Sequence, residues 1–196
     1  MSKWSGILET IQSDPRYVEG LTYGKPRKGH AEGTVDKHIA ELDQTLELIY
    51  RADHMLMPDE YEKLKIIIHA HDTFKLEGKR RTGHQVSIRD PNSHASLARK
   101  FLEEFTDDKD ILSITQFHDE GHSLWQKWQK RGSYSRDRLR DALSQITNHD
   151  LYAIFTIIDG YTPSKLMDRS PRWFIEEMNN FVETPRAHQI LKLLNL

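Results

Sequence analysis

The chain contains no cysteine, which excludes a disulfide framework, a thiolate zinc site and a cysteine nucleophile. No apolar run approaches the roughly eighteen residues a membrane span needs, so no membrane partner is expected. The first residues, Met1-Ser-Lys-Trp-Ser-Gly-Ile-Leu, lack the basic start, apolar stretch and cleavage site of a secretory signal. With the missing thiols, that points to a cytoplasmic protein. A net charge of −2 provides no global attraction to nucleic acid or anionic lipid. Internal repeats, low-complexity stretches and alternating strand patterns are all scarce or missing. At 196 residues the chain fits one domain and can bury a core without staples.

What is abundant is histidine. Eleven are present without forming a tract, roughly twice an ordinary share. Several fall beside apolar stripes with helical spacing. Val35, Ile39, Leu42, Leu46 and Ile49 predict an amphipathic helix over 32–50, with His38 next to its stripe. After the break at Met57-Pro58, Asp59 is the expected N-cap of a helix whose inner face is Tyr61, Leu64, Ile67, Ile68 and His71. Residues 78–91 read as a polar loop. Asn92 or Ser93 then caps a helix with Ala95, Ala98, Phe101, Leu102 and Phe105 inward and His94 at its head. After Asp110, a helix with Ile111, Ile114, Thr115 and His118 continues, or bends at Gly121, towards Trp125 and Trp128. Ser135 or Asp137 starts the next, carrying Leu139, Ala142, Leu143 and Ile146. Another runs from Asp150 to Asp159, with Gly160 expected to close it. Further helices follow Pro171 and Pro185. The expected class is all-α, a single-domain helical bundle.

The sharpest feature is His71-Asp72, at the end of the apolar run Leu64-Lys-Ile-Ile-Ile-His-Ala70 and three residues before Lys75. An imidazole and a carboxylate there need partners, and both are ordinary metal ligands. The dipeptide recurs at His118-Asp119 and His149-Asp150, so its context, not its composition, sets it apart. His38, His71, His94, His118 and Asp159 each sit on or beside the stripe of a different expected helix, where an unpaired polar group is costly. If those stripes share one core, these residues converge with Asp72. His122 lies one turn after His118, but Asp119-Glu120-Gly121 does not reproduce the HExxH arrangement. His69, two residues from His71, is expected at the surface or against a partner.

In order and context these residues resemble the HD-domain superfamily of metal-dependent phosphohydrolases. His30-Ala-Glu-Gly-Thr-Val-Asp-Lys-His38 looks like the segment supplying the first metal histidine, including in HD domains attached to tRNA nucleotidyltransferases. Ile66-Ile-Ile-His-Ala-His71-Asp72-Thr-Phe-Lys75 is similar to the central HDxxK motif. Asn92-Ser-His94, Ile114-Thr-Gln-Phe-His118 and Ile157-Ile-Asp159 resemble the later ligand segments. The resemblance covers about 22–163, with C-terminal helices over 171–194 packed on that core.

The resemblance implies that His38, His71, Asp72 and Asp159 hold one divalent metal. His94 and His118 would hold a second, with Asp72 bridging. It implies a phosphomonoesterase or phosphodiesterase acting on a nucleotide or related phosphorylated small molecule, with Asp72, Lys75 and Asp119 as catalytic residues. Lys75, Arg80, Arg81 and Arg27 or Lys28 are the expected phosphate contacts. The metal is manganese, iron, cobalt, nickel or zinc. Departures narrow the class: Phe74-Lys75-Leu76 replaces the acidic pair of alarmone hydrolases and the acid of 5′-deoxynucleotidases, and the GYP motif of cyclic-dinucleotide phosphodiesterases is absent.

Two other readings keep the same residues. A di-iron oxygenase of HD type would need a gate such as Tyr23 or Glu32. A non-catalytic module would bind metal, nucleotide or RNA, the last through Lys127, Lys130, Arg131, Arg136, Arg138 and Arg140 interleaved with Trp128 and Tyr134.

Overall fold

The computed structural model describes residues 2–27, 31–52, 55–84, 86–165 and 169–196. Lys28, His30 and His54 lie outside the described residues. The described chain is built from helices, with a single bridge between Gly24 and Thr34 and no strand.

Helix α4 (Pro58–Ala70) is the centre of the fold. Its start is written locally: Pro58 fits the first helical position, and the Met57 N–H donates to the Glu60 side chain at 3.0 Å. Leu64, Ile66, Ile67, Ile68 and Ala70 are completely enclosed. A helix end that is apolar all round belongs in the middle of a bundle. Accordingly, α1 (Lys3–Ser13), α3 (Val35–Arg51), α6 (His94–Leu102) and α7 (Lys109–Phe117) all pack on it.

Two polar expectations for α4 change. Asp59 is not the cap; its Oδ1 accepts the indole N–H of Trp4 at 2.5 Å and so ties α1 down. His69 is buried, not exposed. The hydroxyl of Tyr17, on α2 (Pro15–Leu21), lies 2.7 Å from its Nδ1, and Asp43 Oδ2 lies 3.4 Å from its Nε2. Helices α2 and α3 are thereby clamped to α4. Spacing on one helix cannot show that its opposite face is also covered.

A second layer forms around α10 (His149–Gly160), which packs on α3, α7, α11 (Ser170–Met178) and α12 (Pro185–Leu193). Arg186 links the layers: Nε donates to Asp150 at 2.7 Å, and Nη1 and Nη2 donate to Glu60 at 2.6 and 2.9 Å. Two more helices, α8 (Glu120–Arg131) and α9 (Arg136–Leu143), follow the end of α7. The bend expected at Gly121 occurs earlier, at His118-Asp119. Gly121 instead lets α8 press on Phe174, whose ring a Cβ there would meet at 2.7 Å.

The loop expected over 78–91 begins later, because residues 75–82 form helix α5 (Lys75–Thr82). Gly83, with φ +70, ends it in the left-handed conformation typical of a C-cap. Gly78 does not break α5; it permits close approach to α6, since a Cβ there would lie 3.0 Å from His94 N. Gly160 likewise is the last residue of α10, pressed against Pro171. Gly78 and Gly160 each mark a tight contact that composition alone reads as a turn.

Gly20, in α2, is equally pressed: a Cβ there would fall 2.1 Å from the Thr73 carbonyl oxygen. Gly20→Ala is expected to destabilise by about 1–3 kcal/mol through overpacking. Gly6→Ala, within α1 and with nothing within 4 Å, is expected to stabilise by about 0.5–1 kcal/mol. Urea unfolding of the pair checks the contrast; equal shifts would contradict it.

Candidate metal centre

Two helices end in the same way. His71 and His118 are the C-terminal caps of α4 and α7, both in right-handed helical conformation. A helix end leaves carbonyl groups in need of donors. His71 Nδ1 lies 2.9 Å from Ile68 O, and His118 Nδ1 lies 2.8 Å from Thr115 O. In each, the Nδ1–H donates backward to the carbonyl, which points Nε2 forward, where the neutral ring presents its lone pair. That is the tautomer a metal-binding imidazole requires, with the hydrogen bond holding the ring's orientation.

Asp72 sits between the forward nitrogens. Its Oδ2 is 3.6 Å from His71 Nε2 and 3.8 Å from His38 Nε2. Its Oδ1 is 3.5 Å from His118 Nε2 and 3.7 Å from His94 Nε2. Asp159 Oδ1 completes the first set, 3.0 Å from His38 Nε2. In the second, the Nε2 atoms of His94 and His118 face each other at 3.1 Å. His38, His71 and Asp159 each bring a ligand atom within 4.8 Å of the others, and so do Asp72, His94 and His118.

The donor set fits divalent ions. Imidazole and carboxylate ligands about 2.1 Å from a shared ion stand about 3.4 Å apart in tetrahedral geometry, and the separations above bracket that value. His71 Nε2 and Asp72 Oδ1 are buried without a hydrogen-bond partner. Leaving such atoms unsatisfied is expensive, and a cation would satisfy both. Two adjoining His/Asp clusters able to hold metal are therefore present, sharing the Asp72 carboxylate between them.

The surrounding charges hold the cluster in defined protonation states. Burial pushes the His71 imidazole down to about 4 against the pull of Asp72. For Asp72, burial acts to raise the pKa, but Lys75, His71 and His118 hold it well below the usual carboxylate range. Burial would also lower Lys75, yet Asp72 and Asp119 outweigh it and raise the ammonium's pKa. The Lys75 Nζ is in direct contact with Asp72 Oδ2. Asp119 Oδ2 lies 3.3 Å from His94 Nε2 and 3.7 Å from His118 Nε2. Burial would raise Asp119, but His118, His94 and Lys75 lower it. Burial opposes protonation of His118 too; Asp119 and Asp72 overcome it and lift the pKa to about 9.

A cleft of about 920 Å³ opens onto the cluster. His38, Asp72, His94, Lys75 and Asp119 line it, as does Arg27 from the loop before α3. Arg80 and Arg81, expected as phosphate contacts, do not. Positions 75, 78, 79 and 82 of α5 face the cleft, while 76, 77, 80 and 81 face a separate hollow behind it. There Arg80 pairs with Glu19 and Arg81 with Glu77, each at 2.7 Å. Their position shortly after His71-Asp72 suggested phosphate contact; the helical turn of α5 removes it.

Three participants lie outside the expected metal-ligand and phosphate-contact sets. Lys165 Nζ donates to Asp159 Oδ1 at 3.1 Å and to the Asp159 carbonyl at 2.9 Å, from a short 3-10 turn, Pro163–Lys165. Asp159 is held well below the usual carboxylate range: burial acts against this, but Lys165 and His38 prevail. Glu32 Oε1 stands 3.5 Å from His38 Nδ1, behind the nitrogen that faces the cluster. Arg138 lines the cleft while gripping buried Glu120 through Nε and Nη2. Glu32 was expected only as an oxygenase gate and Arg138 only in an RNA-binding stretch; Lys165 had no sequence cue.

Metal uptake requires His118 to lose its proton, and below about 9 that proton competes with the metal. Calorimetry in buffers of different ionisation enthalpy should show about one proton released per chain at pH 7, with affinity falling up to tenfold per pH unit as pH is lowered. Proton-independent uptake would contradict this. Saturating divalent metal at about 100 times Kd should stabilise the fold by about 2.7 kcal/mol. Asp72→Ala should remove that gain in a thermal-shift measurement. No family model, curated protein or solved structure matches the chain.

Proposed function

We propose that the protein is a metal-dependent phosphohydrolase of the HD-domain type, acting on a phosphoester of a nucleotide or similar molecule by attack of water. The observation that carries this reading is the floor of the cleft. One carboxylate divides its oxygens between two imidazole sets, and a lysine ammonium lies directly against it. Structural metal sites are closed on all sides, whereas this one lines a cleft of substrate size.

His38, His71 and Asp159 would hold one ion, and His94 and His118 another, with Asp72 between them. Bound divalent ions would supply water that ionises near neutral pH and would neutralise charge on the phosphoryl oxygens. Lys75 is kept cationic by Asp72 and Asp119. It lines the cleft, where its N–H can donate to a phosphoryl oxygen as charge moves towards the leaving group. Asp119 is kept ionised, so it can accept a hydrogen bond from water but has no proton to deliver, and its lowered pKa makes it a weak base. A leaving group that needs protonation must obtain it elsewhere. Arg27 is the remaining expected phosphate contact that lines the cleft.

Hydrolysis also suits Glu32 better than oxygen activation does. Glu32 stands at the outer nitrogen of His38, where it orients a ligand and raises its basicity. An open-site gate would have to approach the inner nitrogens.

The test is a screen of phosphomonoesters and phosphodiesters with protein loaded separately with manganese, iron, cobalt, nickel and zinc. Asp72→Ala should lose both metal and turnover. Lys75→Ala should keep metal by elemental analysis and lose about 10²–10³-fold in kcat. Full turnover by metal-free protein would defeat the reading. Oxygen consumption by iron-loaded protein, with no phosphate release, would replace it with oxidation.

A further inference from the structure

The wall of the cleft provided by α8 carries more positive charge than a single phosphoester requires. His122, Ser123, Gln126, Lys127, Lys130 and Arg131 all line the cleft. Their spacing of one, three and four marks one continuous face of a helix. Among the described residues, Lys127, Lys130 and Arg131 meet no carboxylate, nor do Arg27 and Lys79 elsewhere on the lining.

Pairing is the rule for the arginines that lie off the cleft. Arg16, Arg80, Arg99, Arg172 and Arg186 each meet a carboxylate within 3 Å. Three like charges at i, i+3 and i+4 weaken a helix unless something offsets them. The helix dipole favours cations in a last turn, but it does not select the face that borders a cleft. Within the same wall, the acidic Glu120 is buried and covered by Arg138. Its charge is thus cancelled before it reaches the cavity.

We propose that this wall is a strand subsite. Lys127, Lys130 and Arg131 would bind the phosphate backbone of a short single-stranded nucleic acid whose end reaches the His/Asp cluster. The proposal rests on the reading of the cleft as a phosphoester site and names its substrate class.

Reach selects a strand over a mononucleotide. Lys127 lies eight residues beyond Asp119, about 12 Å along the helix, and Arg131 about 18 Å. The phosphates of a nucleoside polyphosphate stay bunched at one end of the molecule. A strand delivers phosphates at intervals, about 3.4 Å per nucleotide when stacked. Discrimination among bases is not built into this wall. Trp128 is turned to stack on Trp125 at 5.1 Å and lies 5.7 Å from Trp173. Arg136 and Arg140 lie over the Phe181 ring. Both groups belonged to the RNA-binding stretch expected from sequence, and the fold directs them elsewhere.

The experiment is fluorescence anisotropy of a labelled single-stranded hexanucleotide, titrated with metal-loaded protein across a range of salt. Wild type should bind it at least tenfold more tightly than the matching mononucleotide. The dependence of log Kd on log salt should have a slope of about 2 or more, at about 0.7 per phosphate neutralised. Lys127→Glu, Lys130→Glu and Arg131→Glu combined should weaken binding at least tenfold and flatten the slope by about 2. Equal affinity for hexanucleotide and mononucleotide, or an unchanged slope in the triple variant, overturns the proposal. The wild-type length and salt dependence stands as a test even if the triple variant misfolds. Binding that persists where no ester is turned over keeps the subsite and removes the hydrolase reading. Ester turnover without preferential strand binding removes the subsite alone.

Discussion

A single carboxylate organises the centre of this molecule. Asp72 is almost completely enclosed, and an isolated ionised carboxyl there would be intolerable. It remains charged because Lys75, His71 and His118 hold its pKa down; His38 and His94 also stand within 4 Å of it. Each of those partners comes from an element whose position the core dictates. His38 is on α3, His71 ends α4, His94 opens α6 and His118 ends α7. Without cations in the cluster, two of its buried polar atoms go unsatisfied. The bundle therefore holds open a polar centre that apolar packing alone would not select, and an ion is the simplest way to satisfy it.

The same centre explains why the ends of helices matter more here than their middles. A helix terminus leaves carbonyl groups available, and His71 and His118 each use one to fix their tautomer. It also lets the chain turn at once, so that Asp72 and Asp119 follow their histidines into the cleft. Ring orientation is thus a by-product of satisfying the helix end. The outer supports are of a different kind: Glu32 behind His38 and Lys165 on Asp159 are contacts across loops.

The cleft lining gathers more cations than anions. Away from the cleft, most arginines are matched by carboxylates, as in Arg186 with Glu60 and Asp150. Around the cleft, Arg27, Lys79, Lys127, Lys130 and Arg131 meet no carboxylate among the described residues. Near-neutral net charge therefore hides a local excess of positive charge. A summed charge gives the mean of a field, whereas binding responds to its local value.

Much of the helical pattern was legible in the chain, because period and caps are local. The stripe of α3, Ser93 as the cap of α6 and the all-helical class follow from neighbours in sequence. So did the pairing of His71 with Asp72 and the suspicion that His38, His94, His118 and Asp159 converge. Glycine misled the reading at 78 and 121, since a glycine required by a close neighbour looks the same as one required by a turn. His69 was misplaced because burial of its face depends on α2 and α3. The amino-acid sequence alone determined which residues have ligand chemistry and which faces of the helices are apolar. Tertiary structure alone decided that Asp72 divides its two oxygens between two histidine sets, that Arg80 and Arg81 face away, and that Lys165 and Arg138 take part. Those outcomes turn on ångström-scale distances between segments remote in the chain, which local periodicity does not encode.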